Sequence, residues 1–399
     1  MSSAAGPSRA DELHGWLLDP ATTALAPAAL LGELAGRLQT SGVSLHRISV
    51  WIPTKHPELW GHQLMWDPTS GARVVRRSHE VSTTVDYVGT PAEALHRSGA
   101  PTLRCRLERA EERGRFAMLA AMAQAGATDY VLASLEPGNA AAPWISFASA
   151  RPGGFADDEI TRLTHAVPLL TLHVRLLAAG FATRSLLDVY LGANAARRVL
   201  SGEFRRGTGS ELDAALWFCD MRGFTSLGDC LPARDVVALL DRYFEHVAAA
   251  IEDEGGEVLK FIGDAVLAVF PIDADDAAGA CRRALGAAVS ALDRVGAWAR
   301  EVEGAPQPVA IGVALHVGRV MYGNIGGRAR LDFTVIGASV NEVCRVESMC
   351  KPLGEDLLMT ADFVAALGEV EVVSLGRHAL KGVAEPKELY TLRRSAALP

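Results

Sequence analysis

At 399 residues, with 49% of them hydrophobic, the chain is long enough for two packed domains and a connector. A formal net charge of −8 argues against a nucleic-acid binder and suits a soluble protein. Six cysteines (Cys105, Cys219, Cys230, Cys281, Cys344, Cys350) show no CxxC pair, so they read as reduced, mostly buried thiols and not as a disulfide or zinc framework. Met1 to Ala10 lacks a charged region followed by an apolar core, so no signal peptide is read. The longest apolar stretch, Ala166 to Ala182, is interrupted by Pro168, His173 and Arg175 and reads as too short and too polar to span a bilayer. The expectation is a cytoplasmic protein with no membrane span and no nucleic-acid partner.

In chain order, Leu25 to Leu38 carries apolar residues at helical spacing and ends near Gly42. His46 to Ile52, Gln63 to Trp66 and Ala72 to Arg77 read as strands. A helix over Leu107 to Gln124 follows, then strands Tyr130 to Leu135 and Trp144 to Ala150. This α+β order, closing on a helix that begins at Asp157, resembles a GAF-like sensory domain over residues 11–155, which implies a small-molecule effector. Trp51, Trp60, Trp66 and Trp144 line either the core or a ligand pocket, and the sequence leaves both open. His56, His62 and His79 have no metal-ligand spacing.

Residues 156–209 read as a helical connector. Asp157-Asp158-Glu159 favours a helix N-terminus, and apolar residues recur at three- and four-residue spacing through Leu163, Val167, Leu170, Val174 and Leu177, then again from Leu186 to Leu200. Pro168 is expected to kink or restart the helix. The stretch is either a parallel dimer stalk or a helix that packs on its own domain. Arg205, Arg206, Gly207 and Gly209 read as a boundary.

The remaining half is organised around two runs, LWFCDMRGFT (Leu216 to Thr225) and LKFIGDAVLAVF (Leu259 to Phe270). In each, a short apolar strand ends in an aspartate that opens a glycine-containing turn. Asp220 and Asp264 are thereby expected at neighbouring strand ends on one rim of a sheet. Two carboxylates converging there suit Mg²⁺, which takes one or two of them and completes its shell with water and phosphate oxygens. Taken singly, either aspartate is an ordinary turn former. A charge after Leu-Trp-Phe-Cys without a partner, however, is costly. Helix Asp235 to Glu252, a hairpin of Glu257 to Ile262 and Ala265 to Phe270, helix Asp275 to Glu301 and strand Val309 to Val317 complete a ferredoxin-like order. Helix Ser339 to Cys350 and strands Val370 to Leu375 and Glu388 to Leu392 follow. Gly323, Gly326 and Gly327 read as a β-turn, since no GxxxxGK[ST] occurs.

LWFCDMRGFTSL, EVLKFIGDAVLAVF, VALHVGRVMYGNIG, LDFTVIGASVNEVCRVE and LKGVAEPKELYTL resemble, in that order, the signature blocks of class III nucleotide cyclase catalytic domains. The resemblance covers Leu212 to about Leu392, within an expected domain of residues 210–395. It implies an adenylate cyclase that converts ATP to 3′,5′-cyclic AMP and pyrophosphate with two Mg²⁺ (or Mn²⁺) per active site. Asp220, Asp264 and the Met221 carbonyl would hold the metal, and the backbone amides of Arg222, Gly223, Phe224 and Thr225 would cap the triphosphate. Lys260 precedes Asp264 by four residues, roughly 13 Å along an extended strand. One nucleotide cannot easily span both from the same chain, and the family answers this with a head-to-tail homodimer. On the partner protomer, Lys260 would donate to adenine N1 and Thr334 would accept from the N6 amine. Guanylate-specific relatives carry an acidic residue at the lysine position. Asn341 and Arg345, four apart on one helix face, would orient the ribose and stabilise the reacting α-phosphate. By spacing alone, that pair is an ordinary polar helix face. Lys381 resembles a triphosphate contact. Thr334 stands where many members have aspartate, as in the class IIIb subset, which makes bicarbonate a possible effector. His246 and His316 read as structural. Guanylate specificity and a catalytically silent nucleotide-binding regulator are the alternatives; Lys260 and Thr334 count against the first, and the full set of expected groups counts against the second.

Overall fold

The computed structural model describes residues 9–139, 141–273, 276–300 and 309–393. It divides into two compact units, residues 1–189 and 190–399.

Unit 1 opens with helices α1 (Arg9–Leu18), α2 (Pro20–Thr23) and α3 (Pro27–Thr40), followed by strands β1 (Arg47–Pro53), β2 (Leu59–Asp67) and β3 (Gly71–Ser78). After α4 (Pro91–Ser98) come β4 (Thr102–Arg106), α5 (Ala110–Arg113), α6 (Ala117–Gln124), β5 (Asp129–Ser134), β6 (Trp144–Ser149) and α7 (Asp157–Leu191). The strands form one antiparallel sheet in the order β3-β2-β1-β6-β5-β4. The alternation of β1 decides its two faces. Ile48, Val50 and Ile52 join Leu31, Leu34 and Leu38 of α3 and Leu163, Leu170 and Val174 of α7 in one core. Arg47, Ser49 and Trp51 point the other way. On that side Leu95 of α4 and Leu119 of α6 pack on Tyr130, Leu132 and Ala148.

Three expectations change here. The single helix over residues 107–124 is two short ones, because Gly114 caps α5 and Phe116, with φ −139 and ψ 132, is extended. Pro168 does not break α7, whose flanking residues Ala166 and Leu170 are held in the core. Finally, α7 is long and apolar enough, by length and composition alone, to cross a membrane, since Pro168, His173 and Arg175 are few among its leucines and alanines. Its inner face packs within unit 1, while Leu172 and Leu176 are exposed.

In unit 2, α8 (Ala193–Leu200) precedes β7 (Gly209–Met221), α9 (Phe224–Cys230), α10 (Ala233–Asp253), β8 (Glu257–Ile262), β9 (Ala265–Pro271), α11 (Ala277–Ala299) and β10 (Ile311–Gly326). Then follow β11 (Leu331–Ile336), α12 (Ala338–Glu347), α13 (Cys350–Leu353), β12 (Leu357–Thr360), α14 (Ala361–Leu367), β13 (Val372–His378) and β14 (Lys387–Leu392). The sheet runs β13-β14-β12-β10-β7-β9-β8, with β11 hairpinned onto β10. Its β10-β7-β9-β8 portion, with α10 and α11 as crossovers, is the ferredoxin-like arrangement expected from sequence.

The apolar run of β7 reflects burial on both faces. Ala215, Trp217 and Cys219 face Tyr243 and Val247 of α10 and the alanines of α11. Ala214, Leu216 and Phe218 face Val343 and Val346 of α12. Small residues on α11 (Ala280, Ala284, Ala287, Ala288, Ala291) are all fully buried, so the helix packs closely. The expected ends of that helix, Asp275 and Glu301, lie outside the described residues.

The strand expected over residues 309–317 runs instead to Gly326, and Gly323 lies inside it, opposite Gly209 of β7. A Cβ at Gly323 would fall 2.3 Å from the Thr208 carbonyl oxygen and 2.4 Å from the Gly209 α-carbon. Close backbone approach, not a turn, is why glycine stands there. Gly323→Ala should therefore lower stability by about 1–3 kcal/mol, read as a reduced denaturant midpoint of the full chain. An unchanged midpoint would contradict the crowding.

Candidate functional site

β7 delivers Asp220 at the point where its buried run ends, and Met221 then pairs with Ile311 of β10. β9 lies alongside, with Val266 opposite Cys219, so the Gly263-Asp264 turn of the β8–β9 hairpin arrives at the same rim. Gly263 takes φ +65, which the turn requires and which residues with a Cβ rarely adopt. The two carboxyls meet. Burial first, then the charge and hydrogen bond of Asp264, push Asp220 up to about 6, with the Met221 amide opposing.

A third acid joins them. Glu347, at the end of α12, extends over Gly312, where a Cβ would come within 2.7 Å of its Oε1. Gly312 is the cross-strand partner of Asp220. Burial, then Asp220, push Glu347 up to about 7. The neighbouring cation, Arg222, is engaged elsewhere: it donates to the Glu355 carbonyl and pairs with Asp356 at 3.0 Å. Among the described residues, no ion pair reaches Asp220, Asp264 or Glu347. Converging, partly buried carboxylates without a cation fit the oxygen-donor set of Mg²⁺ or Mn²⁺.

The following turn alters one expectation. The Arg222 amide donates to the Ala310 carbonyl at 2.7 Å and so cannot cap a phosphate. Gly223, at φ 72, leads into α9, whose first residues are Phe224 and Thr225.

A second cluster forms at β8 and β11. Lys260 Nζ lies 3.1 Å from Asp332 Oδ2. Asp332 and Thr334 alternate onto one face of β11, and Thr334 is buried. Asn341 and Arg345 are exposed along one face of α12. Lys381 is exposed between β13 and β14. Among the described residues, no hydrogen bond or ion pair joins Asn341, Arg345 or Lys381 to either cluster. His246 packs against Trp298 with ring centroids 5.5 Å apart, and His316 bonds Thr360 at 2.9 Å. The His316, Glu342 and Asp362 grouping already holds a cation, because Lys387 Nζ lies 3.0 Å from Glu342.

Sequence reasoning missed Glu347 and Asp332. An acid directly after buried Val346 in the run VCRVESMC was a usable signal for the first. The second was marked only by its two-residue spacing from Thr334.

The raised Asp220 value fixes the sign of a pH effect. The unfolded carboxyl loses its proton near 4 and the folded one near 6, so this group's contribution to stability falls as pH rises through that window and is level above it. Relative to the wild type, Asp220→Asn should thus gain on the order of 1–3 kcal/mol between pH 4 and pH 7, measured by denaturant unfolding without divalent cations. A stability difference independent of pH would contradict the assignment.

The model of the adenylate and guanylate cyclase catalytic domain family matches residues 210–394. An adenylate cyclase of Anabaena cylindrica is 34% identical over 175 residues, covering 42% of this chain and 34% of that protein. An uncharacterized protein of Mycobacterium tuberculosis is 34% identical over 225 residues, covering 53% of this chain and 39% of that one. The chain thus spans little more than a third of the length of these curated relatives. Among solved structures, a bacterial light-regulated adenylyl cyclase is 29% identical with TM-score 0.41, covering 46% of this chain and 91% of that chain. An adenylyl cyclase from P. aeruginosa is 24% identical with TM-score 0.43, covering 48% and 100% respectively. Residues 210–394 of this chain thus carry the match to the adenylate and guanylate cyclase catalytic domain family.

Proposed function

We propose that this domain converts ATP to 3′,5′-cyclic AMP and pyrophosphate in a homodimer with two shared sites. Each site takes Asp220 and Asp264 from one protomer and Lys260, Thr334, Asn341 and Arg345 from the other. The observation that carries this reading is the convergence of the Asp220 and Asp264 carboxyls, with no cation paired to them among the described residues, inside a domain matched to cyclases. Support for adenylate over guanylate comes from a lysine at position 260 and a threonine at 334, and from the Anabaena relative named as an adenylate cyclase. Support for a dimer comes from apolar surface beside both clusters: Phe261, Ile262 and Ile336 are each 50% exposed.

Asp220 and Asp264, with the Met221 carbonyl, would hold Mg²⁺ or Mn²⁺, two ions per site in this reading, which when bound neutralises triphosphate charge and lowers the pKa of the ribose 3′-hydroxyl. The protein's own groups do the positioning. Asp332 holds the Lys260 ammonium at 3.1 Å, aimed for adenine N1, while the Thr334 hydroxyl accepts from N6. Asn341 orients the ribose. Arg345, exposed and without an ion pair among the described residues, meets charge on the α-phosphate. Amides of Gly223, Phe224 and Thr225, and the Lys381 ammonium, face the remaining phosphates. Unit 1 serves as a GAF-like regulatory domain, and bicarbonate acts as an effector of the catalytic domain.

Full-length protein with Mn²⁺ and either ATP or GTP, its products identified by mass, should yield cyclic AMP from ATP. Cyclic GMP alone, or no product, would overturn the reading. Replacing NaCl with NaHCO₃ at fixed pH should raise the initial rate, and equal rates would remove bicarbonate from the account. Arg345→Ala should lower kcat by about 10²–10³-fold while leaving the unfolding midpoint intact, since the side chain is exposed. Retained turnover would remove Arg345 from the site.

A further inference from the structure

Unit 1 encloses a cavity of about 420 Å³ on the sheet face opposite α3 and α7. That volume lies within the range of small-molecule sites. Its floor follows from strand register. Trp51 stands beside Gln63 of β2 and Trp144 of β6, and Ser49 beside Ser146. Its far wall is Tyr87, and Met118 and Met122 of α6 close it. The aromatic part is held in place. Trp51 and Trp60 meet with ring centroids 4.6 Å apart, and Tyr87 sets its edge on Trp60 at 4.7 Å. A Cβ at Gly61 would lie 2.6 Å from the Trp51 ring, so the indole lies directly against bare backbone.

The polar lining is almost entirely satisfied from within. Gln63 donates to Ser49 at 2.9 Å and accepts two hydrogen bonds from Arg77, at 3.0 and 2.9 Å. Arg77 also pairs with Asp86 at 3.7 Å. The Tyr87 hydroxyl bonds His96 at 3.0 Å, and Tyr130 bonds Ser146.

Arg47 is the exception. Arg47 lines the cavity, and its guanidinium has no hydrogen-bond acceptor or ion-pair partner among the described residues. The nearby acids are engaged: Asp67 holds Arg73 at 2.9 Å, and Asp86 holds Arg77. Burial is the largest influence on Arg47 and lowers its proton affinity, with Tyr130 and the more distant charge of Asp67 opposing it. A guanidinium in this condition offers a planar fork of donors matched to a carboxylate. Flat aromatic walls select a flat ring. Arg47 and Arg77 are the two basic lining residues, and Arg77 is already paired, so the cavity supplies one open positive charge. A monoanion fits that balance better than a dianionic phosphate ester.

We propose that this cavity binds a small planar aromatic carboxylate, with its ring among Trp51, Trp60 and Trp144 and its carboxylate on Arg47. Every residue involved belongs to unit 1, so the proposal stands apart from the cyclase reading. The probes are 2-naphthoate and its uncharged counterpart 2-naphthamide, each titrated calorimetrically into the full chain. The acid should bind saturably at one per chain, and the amide at least about tenfold more weakly. Arg47→Met should reduce acid binding to the level of the amide while amide binding is retained, which also shows that the cavity remains folded. Trp60→Ala should weaken both. Equal binding of acid and amide by the wild type, or no saturable heat from the acid, would overturn the proposal whether or not the variants fold. So would undiminished acid binding by Arg47→Met.

Discussion

Electrostatic repulsion between carboxyl groups at the end of a strand buried over its second half is the constraint around which unit 2 is arranged. Every residue of β7 from Ala214 to Cys219 is buried, so Asp220 emerges directly from the core with little water to solvate it. The β8–β9 hairpin then brings Asp264 against it, and the end of α12 brings Glu347. A fold selected for stability alone would not place three acids together without a cation. The consequence is a site whose proton affinity is raised and whose natural complement is a hard divalent cation.

In the proposed reading, separate elements carry the second half of the chemistry. The β10–β11 hairpin and β8 bring Lys260 to Asp332, and α12 displays Asn341 and Arg345 on its exposed face. Within one chain these groups make no described contact with the acids. In the proposed reading a second protomer completes the pocket, and the exposed Phe261, Ile262 and Ile336 would supply apolar surface for it. The lysine's own partner, Asp332, lies 3.1 Å from its Nζ and would position that charge in the proposed reading.

Much of this was legible in the residues. The apolar runs ending in Asp220 and Asp264 carried the strand ends and their convergence, and helical spacing carried α10 and α11. What the sequence concealed was long-range register. Nothing local marks Gly312 as the neighbour of Asp220, so Glu347 could not be placed over it. Gly323 has the look of a turn residue, yet it stands mid-strand because Gly209 presses against it from a hundred residues away. The Arg222 amide reads as available from sequence, but the Ala310 carbonyl just before β10 takes it. In unit 1, the short strand β4 and the break at Gly114 escaped periodicity because each is only a few residues long. The tryptophans were ambiguous between core and pocket, and the structure divides them: Trp66 joins the core, whereas Trp51, Trp60 and Trp144 face the cavity.

The claim on which the rest depends is that Asp220 and Asp264 together form a divalent-cation site. Calorimetric titration of Mn²⁺ into the nucleotide-free full chain, in buffers of differing ionisation enthalpy, addresses it without recourse to turnover. Saturable binding should strengthen from pH 5 to pH 7, and near pH 6 it should release protons, because Asp220 is still partly protonated there. The Asp220→Asn, Asp264→Asn double variant should show neither. Absence of saturable binding by the wild type, or equal binding by the double variant, would contradict the account.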